Sequence, residues 1–238
     1  MKNKNAKTPD WVRAFSFKKI LPGIEKIGFT TLGILLALWV NNCDEGRKKQ
    51  EIEQKTLFEI QAGLEQDRRD LQETIGGYDY RVWNIETIFD LLGRDSLPQD
   101  SLTMRVNDLI GYSFLLANTA AYETLKSRGL ETVTNDSLRL AITTLYDVDY
   151  EAIQTAEKHL NETHNHLLLP YLISHIKLGV NRFSTEEVRK IKADQPFQQI
   201  LWQIKFLNQA TLDRYQNTLK SLEKLLRDID SELNNGRF

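Results

Sequence analysis

All four histidines of this chain fall within seventeen residues, at His159, His164, His166 and His175. On a helix, His159, Glu162 and His166 share one face, because offsets of three, four and seven align. Two neutral imidazoles with one carboxylate can bind a divalent metal. The spacing, however, matches neither HExxH nor the Glu-x-x-His of di-iron bundles, since Asn165 stands where the second motif needs histidine. A solvated face on a long helix accounts for the cluster, and no metal or other cofactor is expected. A second polar group is Tyr122, Glu123, Lys126, Ser127, Arg128 and Gly129. Lys126 and Arg128 can attract an anion, yet cations in a last helical turn also complement the helix dipole, and Gly129 suits the stop that follows. Cys43 is alone, so neither an internal disulfide nor a cysteine-based zinc site can form; under oxidising conditions it can only join two protomers. Nucleophile elbows, phosphate loops and dinucleotide-binding glycines are absent from the sequence, and the chain is not expected to be an enzyme.

These residues need elements to hold them. With 41% apolar and 27% charged residues, the 238-residue chain has an ordinary globular composition, and 12 Gly with 5 Pro are few enough to permit long helices. Leu57, Ile60, Leu64, Leu71 and Ile75 recur at helical spacing and predict a helix running to Gly76-Gly77. At the other end Tyr215, Leu219, Leu222, Leu226, Ile229 and Leu233 step by four and three, the spacing of a helix-pairing seam, within one helix over Pro196–Asn235 closed by Gly236. Antiparallel pairing of these long helices is favoured over separate dimer seams. Between them, Ser184 and Glu187 form a capping box with Phe183 and Val188 as its staple, Thr134 is placed to cap the next helix, and a helix over 119–128 ends at Gly129. Pro170 is expected to kink or end a helix near Leu169. No alternating strand pattern occurs, so the expected fold is all-α: one N-terminal transmembrane helix followed by an extended helical bundle with long first and last helices.

The membrane expectation rests on Ile27–Val40, a run without charge. Counting from Ile24 to Asn42 gives 19 residues, about 28 Å of helix against a hydrocarbon core of about 30 Å, with Lys26 snorkelling and Trp39 near the far interface. Ile24, Gly28, Gly33, Leu36 and Trp39 mark this segment. The bulky and polar residues after the run do not suit a signal-peptide cleavage site. Residues 1–26 carry seven Lys/Arg against two acids, leaving about −7 on the rest, so a basic stub (1–23) is expected in the cytoplasm and the all-α domain (43–238) outside it. The acidic body argues against nucleic acid as a partner.

Two stretches carry a likeness. Gly33-Ile34-Leu35-Leu36-Ala37-Leu38 followed by Asn41-Asn42 and Asp44-Glu45 resembles a GILIALQINNWNE signature, and Ala121 through Gly129 is similar to AYETLKSSG. Both belong to an uncharacterised family of bacterial single-pass membrane proteins, a domain of unknown function. This chain departs at Trp39, Cys43 and Arg128, and the likeness spans most of residues 24–235. The resemblance implies the topology, an inner-membrane anchor with a periplasmic domain, and supplies no activity. With the lipid bilayer as one partner, the long seam beside the membrane motivates the other expected here, an envelope protein or a second copy, in a scaffold role. The alternative is a ligand-binding sensor working with a separate cytoplasmic partner, since a stub of about 23 residues is too short to signal; polar groups converging among Tyr112, Tyr122, Tyr146 and Tyr150 would favour it.

Overall fold

The structure is a computed structural model that describes residues 17–96, 98–111 and 114–235, with side chains from 31 to 234. All of its regular elements are helical: α1 (Phe17–Gly93), α2 (Gln99–Asn107), α3 (Ala120–Arg128), α4 (Asp136–Thr144), α5 (Tyr150–Thr163), α6 (Leu169–His175), α7 (Thr185–Ala193) and α8 (Gln195–Asn235). Two π turns, Leu145–Asp149 and His164–Leu168, join α4 to α5 and α5 to α6 without leaving helical backbone. The chain divides into two compact units, residues 1–52 and residues 53–238.

In the second unit three long helical stretches share one core. Gln61 donates to Asp230 at 2.5 Å, the rings of Tyr78 and Tyr215 lie 5.3 Å apart, and Lys205 pairs with Glu86 at 2.7 Å. The two residue numbers in these pairs rise and fall together oppositely, so α1 and α8 run antiparallel, as expected. The α4–α6 stretch runs parallel to α1, with Glu53 holding Thr134 and Asp67 holding Tyr150. The core of α1 is Leu57, Ile60, Leu64, Leu71, Tyr78, Ile85 and Ile88, and α8 meets it with Phe197, Leu201, Ile204, Tyr215, Leu222 and Ile229. Burying each such side chain contributes about 1.5–3 kcal/mol, which is what holds helices of this length in register.

Several expectations are corrected. Helix α1 does not stop at Gly76-Gly77 but runs on to Gly93, because Val82, Ile85, Ile88 and Leu92 continue the buried stripe and outweigh a glycine cost of about 1 kcal/mol each. At Pro170 the α-helix is interrupted, as expected, but helical backbone continues: α5 ends at Thr163 and α6 begins at Leu169 with the proline in its first turn. The preceding π turn, in which the Leu169 N–H reaches back to the His164 carbonyl, widens the backbone where the proline ring needs room and lacks a donor. The cap of α4 is Asn135, whose side chain accepts from the N–H groups of Ser137 and Leu138, while Thr134 is engaged by Glu53. In the seam, Tyr215, Leu222, Leu226, Ile229 and Leu233 are buried, with Tyr215, Leu222 and Ile229 the deepest, and only Leu219 is half-buried, beside buried Thr218. The Ser184–Glu187 capping box is present with Phe183 and Val188 both buried, and Gly129 follows α3 at φ 105°. Gly236 lies outside the described residues.

Among the described residues no helix is long and apolar enough to cross a membrane. Eighteen residues counted from Thr31 already take in Asp44, Glu45, Arg47 and Lys48, so the expected transmembrane helix finds no support there. Ile24 and Gly28 lie outside the residues whose side chains are described. Gly33, Leu36 and Trp39 are exposed.

Candidate functional site

Polar residues interrupt the apolar stripes of the second unit at core positions. Asp67 stands between Leu64 and Leu71, Glu157 between Ile153 and Leu160, and Asn208 between Ile204 and Leu212, each at spacing of three or four. All three are buried. Asp67 accepts from the Asn118 N–H at 2.8 Å and from the Tyr150 hydroxyl at 2.7 Å. Glu157 accepts from the Leu115 N–H at 2.9 Å and from the Tyr215 hydroxyl. Glu53 does the same for Thr134, through its N–H at 2.7 Å. Buried carboxylates thus satisfy backbone donors of the segments that link the helices, which would otherwise be costly orphans. Burial pushes the carboxyls of Asp67 and Glu157 above their ordinary range, against the pull of the hydrogen bonds they accept.

The expected patch is assembled at the end of α3, with Tyr122 turned inward and Glu123, Lys126, Ser127 and Arg128 exposed. Tyr122 is buried, donates to Asp147 at 2.6 Å, and stacks on Tyr146 at 4.4 Å; Tyr146 in turn meets Tyr150 edge-on at 5.3 Å. Burial first, then the neighbouring carboxylates, drives the Tyr122 and Tyr150 phenols well above the usual range. Lys126 lies 5.2 Å over the Tyr122 ring and 3.4 Å from Glu123, and Arg128 donates to Thr56 at 3.4 Å. Ser127 donates to the Thr124 carbonyl, and Gly129 makes the turn out of the helix. Three of the four tyrosines weighed for a ligand site are therefore a packed ladder; Tyr112 lies outside the described residues.

The histidines separate. His175 stacks on Tyr171 at 4.2 Å, His159 faces an open groove between α5 and α8, and His166 is exposed. The π turn beginning at His164 breaks the 3.6-residue phase on which the His159–Glu162–His166 face depends. Among the described residues no group of three or more His, Cys, Asp or Glu is placed to hold a metal ion.

His164 belongs to a different feature. It is buried, with Nε2 3.0 Å from the Leu109 carbonyl; because a carbonyl only accepts, Nε2 carries the hydrogen. It lines a partly open cavity of about 30 Å³ together with Arg81, Asn84, Asp108, Asn161 and Asn208. The apolar wall is Ile85, Leu109, Leu160 and Ile204. Asn208 is 3% exposed, its Nδ2 donates to the Ile204 carbonyl at 2.8 Å, and its Oδ1 has no hydrogen-bond partner. A buried acceptor left this way is uncommon. Sequence reading passed over these residues because it sought apolar repeats; the available signal was a polar residue falling on the stripe itself.

A second surface is the groove between α5 and α8, lined by Ala152, Thr155, Ala156, Ala210 and Thr211 with His159 and Arg214 at its rim. Along α8 it continues into Phe206 and Trp202, which stack at 5.9 Å and are 60% and 61% exposed. A family profile described as Family of unknown function (DUF6090) matches residues 26–167. No curated protein and no solved structure matches the chain.

Proposed function

We propose, from the premise that this chain belongs to the family of unknown function DUF6090, that it is a membrane-anchored helical protein acting by contact rather than catalysis. The anchor is residues 24–42, with the stub 1–23 in the cytoplasm and the bundle in the periplasm. What supports an anchor is the exposure of Leu32, Ile34, Leu35, Leu36, Leu38, Trp39 and Val40, each more than half exposed in consecutive turns of one helix. A helix apolar around its whole circumference with nothing over it is a poor surface for water and a good one for lipid.

The observation that carries the contact role is the stacked pair Trp202–Phe206 beside a groove of small residues. Aromatic anchors next to a shallow trough suit an apolar ridge from a partner helix. The expected seam of α8 serves no partner in this reading, because it is buried within the bundle. The bilayer and an envelope protein are the partners, and nucleic acid is not. A photo-crosslinking residue at Phe206 in intact cells should trap a discrete membrane or periplasmic protein, or a second copy, whereas the same residue at exposed Leu140 should not. Equal labelling at both positions, or none at Phe206, sinks the reading. For the anchor, the chain should stay with the membrane through carbonate washing.

A further inference from the structure

We draw no further inference here: the strongest candidate, the groove between α5 and α8 with the exposed Trp202–Phe206 pair beside it, belongs to the contact surface already proposed, and nothing in the structure shows what covers it.

Discussion

At the scale of single residues the second unit is organised by carboxylates that hold peptide N–H groups. Asp67→Ala removes the acceptor from both the part-buried Asn118 N–H and the buried Tyr150 hydroxyl, and should cost about 1–3 kcal/mol in urea unfolding, as expected for one stranded buried donor. The pH dependence has a definite sign. Folded values of Asp67 and Glu157 above their unfolded ones mean that the native state prefers them protonated. Their contribution is full below the ordinary carboxylate range, near roughly 4, and is lost as pH rises through the raised folded values. Melting temperature should therefore gain through these two groups as pH is lowered from neutral towards that range. The double variant Asp67→Asn, Glu157→Gln should flatten this part of the profile, and an unchanged slope would refute the assignment. Gly129, at φ 105°, occupies backbone that other residues adopt with strain; Gly129→Ala should cost about 1–3 kcal/mol, read by chemical denaturation.

At the scale of elements, the pairing of α1 with α8 makes a sharp contrast between neighbours on one helix. Leu222 is fully buried, so Leu222→Ala should cost about 2–5 kcal/mol, whereas half-buried Leu219 should cost clearly less under the same substitution. Equal losses would restore the row through Leu219. The long helices, their antiparallel pairing, the Ser184 capping box and the stop at Gly129 were legible because each depends on local chemistry or on an apolar repeat. The polar part of the buried face was not. Beside its deepest residues, Tyr215, Leu222 and Ile229, the buried face of α8 also carries Asn208, Thr211 and Thr218, and a search for apolar spacing steps over such polar residues and lands on the flank at Leu219. The same blindness hid the cavity, whose polar wall comes from four separate segments. Gly76-Gly77 misled for the converse reason: breaker residues state a local cost, and tertiary packing can meet it.

At the scale of the whole molecule, the family match shows kinship without activity, and the two proposed surfaces make separable demands. An arginine in the apolar run, Leu36→Arg, should reduce retention in carbonate-washed membranes while leaving the urea unfolding of the bundle unchanged, because position 36 belongs to the first compact unit and the bundle to the second. A less stable bundle in that variant would tie together two features that now stand apart. The antiparallel register has a mechanical corollary. Residue 61 is bonded to residue 230 and residue 86 to residue 205, so the beginning of the bundle and the end of α8 share a pole. Tension applied between those two points loads the contacts in sequence, as in opening a zip, and the bundle should yield at much lower force than if it were stretched from opposite poles, where every contact must shear at once.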